Sequence, residues 1–136
     1  MSREAFAGMR RVMRPHGALV INCFGDFDPG HDFFVASLDK TLRAVFPSVR
    51  IHNDRNGGNV FFVASLLPEL VKLATPDLEK VHPSARRGVQ MAFNRELGTN
   101  PDNGIVLTDD YNPVEFYDAQ NRERIRKDLA MGMKDF

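Results

Sequence analysis

No Gly-rich turn of the GxGxxG or GxxxxGK kind occurs anywhere in this chain. The usual cradle for a nucleotide phosphate at a strand-to-helix turn is therefore missing. Apolar runs are short: none approaches the roughly 20 residues that a membrane-spanning helix needs. Neither sign of charge is in excess, with 18 Lys and Arg against 18 Asp and Glu. A neutral chain has no long-range field to draw nucleic acid or an anionic bilayer, so neither is an expected partner. Cysteine occurs once, at Cys23. It cannot close an internal disulfide, and within a hydrophobic stretch it reads as a buried thiol in a reducing compartment, which makes a cytoplasmic location the expectation. The opening Met1-Ser2-Arg3-Glu4 does not have the shape of a signal peptide. His16, His31, His52 and His82 are scattered, with no i,i+4 or HExxH pair for zinc and no CxxC mate for Cys23. EF-hand and GxSxG patterns are also absent, so calcium-loop and serine-hydrolase chemistry have no motif to stand on.

What is present suits one globular domain. The chain has 136 residues, 43% of them hydrophobic and 26% charged, enough for a single core and too little for two. Phe6, Met9, Val12 and Met13 repeat at helical spacing after Ser2, a good N-cap, and predict a first helix from Ser2 to Arg14 with one apolar face. Pro15 and Gly17 end it. Ala18 to Phe24 is almost continuously apolar, which predicts a strand covered on both faces, central and parallel. After a loop from Gly25 to Gly30, Asp32 to Phe46 predicts a second helix presenting Phe34, Leu38, Leu42 and Val45. Val49 to His52 alternates as a half-exposed strand, and Asn59 to Ser65 follows as an apolar strand. Asn56-Gly57 between them is a type I′ turn pair, so the two strands form an antiparallel hairpin.

From Leu66 the pattern turns helical and less regular, with Thr75-Pro76-Asp77 as a helix start and Ser84 to Leu97 as a further helix contacting the body through Val89, Met91 and Phe93. Gly98 to Gly104 reads as a surface loop and Ile105 to Leu107 as a short apolar stretch. Asn112-Pro113-Val114-Glu115 is close to a capping box for a last helix that runs to about Met131. Its seam is Val114, Tyr117, Ile125 and Leu129, with Asp118–Arg122 and Glu123–Lys127 as i,i+4 pairs on the wet side.

Three stretches together resemble one family. Arg14-Pro15-His16-Gly17-Ala18-Leu19-Val20, with the helix before it, resembles the helix and fifth strand of class I S-adenosylmethionine-dependent methyltransferase-type folds. Leu42 to Val49 followed by Gly58 to Ser65 is similar to the closing helix and final hairpin of spermidine synthases and their relatives. Leu107-Thr108-Asp109-Asp110-Tyr111-Asn112-Pro113-Val114-Glu115 resembles the tail motif of spermidine-synthase-like proteins, including those fused to membrane-transporter domains, and it is the most specific of the three. The resemblance implies an α/β fold: a partial Rossmann-like sheet made of its last strands over residues 1–65, with a helical extension over residues 66–136 packed on it as one domain. It further implies aminopropyl transfer to a polyamine in complete members, which bind S-adenosylmethionine or its decarboxylated form. This chain matches neither the Gly-rich cofactor turn nor the catalytic aspartate after the fourth strand, and the hairpin segment Asn53 to Gly58 lacks the tyrosine of the true synthases. The expectation is thus the polyamine-side lobe of an aminopropyltransferase relative, without cofactor or catalysis of its own. The competing expectation is an interaction or assembly module that kept the fold and lost the chemistry.

Ligands of open α/β sheets bind beyond the carboxyl ends of the parallel strands. Here that edge is Phe24 to Asp28, where two carboxylates beside aromatic rings suit a polyammonium ligand; the resemblance, in which residues just after this strand line the substrate pocket, implies Asn22, Asp26 and Asp28 as the candidate substrate-binding residues. Turn hydrogen bonds and capping of the next helix would occupy Asp26 and Asp28 equally well. Asp109, Asp110 and Tyr111 carry the tail motif without an assigned role. Two adjacent carboxylates are too few for a calcium cage, and the segment suits an ordered approach to the last helix, with Tyr111 as a hydrophobic staple. If the preceding strand of the full fold is missing, the first strand's ladder groups lie open, and pairing with a second copy or with an N-terminal half is expected.

Overall fold

A computed structural model describes residues 1–53 and 57–132. The elements run α1 (Arg3–Val12), β1 (Ala18–Asp26), α2 (Phe33–Arg43), β2 (Ser48–Asn53), β3 (Gly57–Ser65), α3 (Pro83–Asn94), β4 (Glu96–Leu97) and α4 (Val114–Gly132). The architecture is mixed α/β, with four helices and one open four-stranded sheet of order β1-β3-β2-β4 in which each neighbouring pair is antiparallel. The expected turn pair Asn56-Gly57 lies partly outside the described residues, but its consequence is visible in the β2–β3 hairpin.

The register gives the sheet a wet and a dry side. Opposed residues of an antiparallel ladder share a face, so Leu19, Ile21 and Cys23 line up with Ala64, Phe62 and Val60, and these with Val49, Ile51 and Asn53. This is the core face. Onto it pack Phe34, Val35, Leu38 and Leu42 of α2, Phe6 of α1, and Leu107. Gly25 has a specific reason to be glycine: an added Cβ would stand 2.5 Å from Val35 Cγ1 and 2.7 Å from Val60 Cγ2, so α2 could not sit this close to the sheet.

β1 differs from the expectation of a central, parallel strand covered on both faces. It pairs only with β3 among the described residues, runs antiparallel to it, and is an edge strand. Its second face is open over the upstream half, with Val20 59% exposed, and is covered toward Asp26. The apolar run misled because continuity of hydrophobic side chains does not report whether the second face finds a cover. β1 and β2 do run in the same direction, as a strand–helix–strand crossover dictates, but β3 is inserted between them.

Other departures have local causes. In α1 only Phe6 of the expected apolar face is buried, while Met9 is exposed and Val12 is 85% exposed. Residues from Leu66 onward form no helix before α3 apart from a single 3₁₀ turn, Leu78–Lys80, which Asp77 caps through Glu79 N at 3.2 Å. The helix expected to reach Leu97 stops at Asn94, and Glu96 and Leu97 leave it to pair with His52 and Ile51. The His52 Nδ1 lies 3.0 Å from Ala92 O and 3.2 Å from Arg95 O, tying the end of α3 to β2.

Residues 104–109 are held along α2 and α1 by a ladder of side chains. Ile105 N donates to Ser37 Oγ at 3.1 Å, Leu107 N to Thr41 Oγ1 at 2.9 Å, and Arg3 N to Leu107 O at 2.7 Å. Ser37 and Thr41 are one helical turn apart, so their hydroxyls act as an edge for an extended segment. Gly104 makes this approach possible, since a Cβ there would meet the Ala36 carbonyl carbon and Ser37 N at 2.5 Å.

Candidate functional site

The carboxyl end of β1, where the candidate residues Asp26 and Asp28 lie, is closed over by α4. Tyr117 stacks on Phe33, the first residue of α2, with ring centroids 4.2 Å apart. Asp26, buried at the end of β1, is ion-paired with Arg124 of α4. Its Oδ1 also accepts from Asp28 N at 2.7 Å, which shapes the turn into the loop. The Asp26 carboxylate is thus committed to a guanidinium and a backbone amide. Asp28 is exposed, and its carbonyl accepts from His31 N at 2.9 Å.

Asn22 lies in a different place. It lines a cavity of about 290 Å³ between β1 and α4, together with Cys23, Phe24, Asn59, Asp118 and Arg122. Along a strand, four residues separate Asn22 from Asp26 by roughly 13 Å. The three candidate residues are therefore not brought to one pocket: Asn22 faces a cavity, Asp26 is neutralised, and Asp28 points to solvent. Arg122 and Asp118 form their own pair at 2.7 Å in the first cavity. That i,i+4 spacing was legible as a surface pair, and nothing in the local pattern placed it against β1.

Cys23 sits beside the same cavity with its Sγ 3.9 Å from Val60 O. Burial first, and then the charge of Asp118, push its thiol up to about 12. It is an inert, protonated thiol at neutral pH, in line with its reading as a buried apolar-like side chain.

The tail motif forms a clasp on the start of α1. Ser2 caps α1 by accepting from Ala5 N at 3.2 Å, and its hydroxyl donates to Asp109. Asp109 N donates to Glu4 Oε2 at 3.1 Å, and Asn112 Nδ2 donates to Met1 O at 3.1 Å. The Glu4 carboxyl is held below its usual range, first by a backbone hydrogen bond and then by Arg3. Thr108 and Tyr111 exchange bonds, Thr108 N to Tyr111 O and Tyr111 N to Thr108 Oγ1, both 3.1 Å. Tyr111 is 65% exposed, so it does not serve as the expected staple: this reciprocal turn aims its ring outward. Asp110 is exposed as well. Among the described residues no group of three His, Cys, Asp or Glu side chains could hold a metal ion.

A second cavity, of about 240 Å³, lies on the other side of the Asp26–Arg124 pair. Gly30, His31, Phe33, Tyr117, Asn121 and Arg124 are among its walls. Asn121 and Arg124 are functional candidates that no sequence motif announced.

No protein family, curated protein or solved structure matches this chain. The reading of the site rests on its geometry. No helix among the described residues is long and apolar enough to cross a membrane.

Proposed function

We propose that this chain is a non-catalytic assembly lobe, a rear portion of a spermidine-synthase-like α/β sheet that is completed by adding a strand along β1. One observation carries the reading: among the described residues β1 is paired on one side only, by β3, while its upstream half, with Ala18 and Val20 exposed, is left uncovered. α4 approaches the downstream half, where Asp118 and Arg122 share a cavity with Cys23 and Phe24. An uncovered apolar edge accepts another strand readily. The crossover of β1, α2 and β2, with β3 inserted between the strands, also suits the end of a larger α/β sheet.

In the purified chain the added strand comes from a second copy, which the zero net charge does not oppose. Sedimentation velocity is expected to show concentration-dependent dimers at micromolar protein. Val20→Lys, which places like charges across such a junction, is expected to return the monomer with an unchanged circular dichroism spectrum. A wild-type monomer throughout that range would overturn the assembly reading.

The polyamine-side lobe of an aminopropyltransferase relative is the second reading. It draws on the cavity beside Asn22, lined by Phe24 and by Asp118, whose carboxylate an ammonium group would have to share with Arg122. Calorimetry with putrescine, decarboxylated S-adenosylmethionine and 5′-methylthioadenosine tests it. Heat from putrescine that is lost in Asp118→Asn would favour this reading, and silence with all three ligands would remove it.

A further inference from the structure

The cavity of about 240 Å³ at the start of α2 has the rings of Phe33 and Tyr117 on its walls together with the side chains of His31, Asn121 and Arg124. Asn121 is only 7% exposed, and its Nδ2 has no hydrogen-bond partner. A buried amide N–H without an acceptor costs about 1–3 kcal/mol, so such a group calls for an explanation. Independently, the start of α2 is uncapped. Asp32 occupies the N-cap position but makes no capping bond, because its Oδ2 is taken by Asn103 Nδ2 at 2.7 Å. The first backbone N–H groups of an α-helix have no partner within the helix, and they carry the positive end of its dipole. Phe33, which opens α2, and His31 before it line this same cavity, as does Arg124. Among the described residues no carboxylate lines it, and the nearby Asp26 is already spent on Arg124.

We propose that this cavity binds a small oxyanion, the phosphate or carboxylate group of a compact metabolite, between the start of α2 and Asn121. Acceptor oxygens would satisfy the Asn121 amide and the orphan N–H groups of α2 together, which is the ordinary chemistry of anion sites at helix starts. The stacked rings of Phe33 and Tyr117 form the floor against which the rest of the ligand lies. Its volume is below the roughly 300–1,000 Å³ of drug-sized ligand sites, which limits the ligand to something compact. The unpaired groups here are N–H donors and an ammonium offers them no acceptor, so this site is separate from the one a polyamine would use, and it stands whether or not the chain dimerises.

The test is a titration of the ¹⁵N-labelled protein with inorganic phosphate and, separately, with acetate, at ionic strength held constant with chloride. Saturable shifts are expected at the Asn121 side-chain amide and at the Phe33 and Phe34 backbone amides with at least one of the two anions. Asn121→Asp keeps the shape and reverses the preference, and it is expected to weaken binding at least tenfold. His31→Glu, on the exposed loop and so without consequence for folding, is expected to do the same. Shifts no larger than those produced by chloride, or an undiminished response in His31→Glu, would overturn the proposal.

Discussion

Single side chains decide several properties of this molecule, and Cys23 shows how directly. A thiol that ionises only near 12 leaves on the order of one thiolate in ten thousand at pH 8, against a substantial fraction for a free cysteine. Alkylation of the native protein by iodoacetamide at pH 8 is therefore expected to be roughly a thousandfold slower than in urea, where the thiol regains its ordinary value. The same shift has a consequence for stability. Because the folded state holds the proton where the unfolded chain, at about 9.0, has released it, stability is full below pH 9 and declines as pH rises toward 12. The inertness of Cys23 was legible from its hydrophobic neighbours. The fate of Asp26 was not, because its partner Arg124 lies far along the chain on a helix whose own pattern shows no reason to meet it.

At the scale of elements, legibility followed burial. α2 presents buried residues at Phe34, Leu38 and Leu42, and a stripe of that kind is visible in sequence because one helix face meets the core along its whole length. β2 alternates buried and half-buried positions and was equally plain. β4 could not be seen, since two residues carry no periodicity and its pairing with His52 and Ile51 is wholly tertiary. The docking of residues 104–109 on α2 was hidden for a related reason: Ser37 and Thr41 look like breaks in an apolar face until an extended segment is found bonded to their hydroxyls. This gives a sharp test. Thr41→Val keeps the volume of the side chain but strands the Leu107 N–H in a buried place, and it is expected to lower stability by about 1–3 kcal/mol in urea unfolding. A loss below 0.5 kcal/mol, estimated as the ordinary scatter of surface substitutions, would mean that the segment is held by apolar contact alone.

For the whole molecule, the sheet is asymmetric. Its inner strands, β3 and β2, are flanked on both sides, while the edges are unequal: the nine-residue β1 on one side and the two-residue β4 on the other. The continuous apolar run of Ala18 to Phe24 points to a central, parallel strand, whereas β1 lies at the edge and runs antiparallel to β3. Both departures trace to one physical fact. Strand order is set by which partners are at hand, and hydrophobicity along one strand does not encode them. The dimerisation expected in sedimentation belongs to this scale, since no single contact within the chain requires it.

The clasp between the start of α1 and residues 107–112 joins groups more than one hundred positions apart, as Ser2–Asp109 and Met1–Asn112 illustrate. During synthesis the first helix is made early, yet its partners at Leu107, Asp109 and Asn112 leave the ribosome later, at translation speeds of about 5–20 residues per second, after an interval of roughly ten seconds. Phe6 must wait that long for Leu107, its neighbour in the core cluster. The segment that forms α1 therefore stays unfinished and partly greasy until residues 107–112 follow it, and holdase chaperones that recognise such segments have their window in that interval.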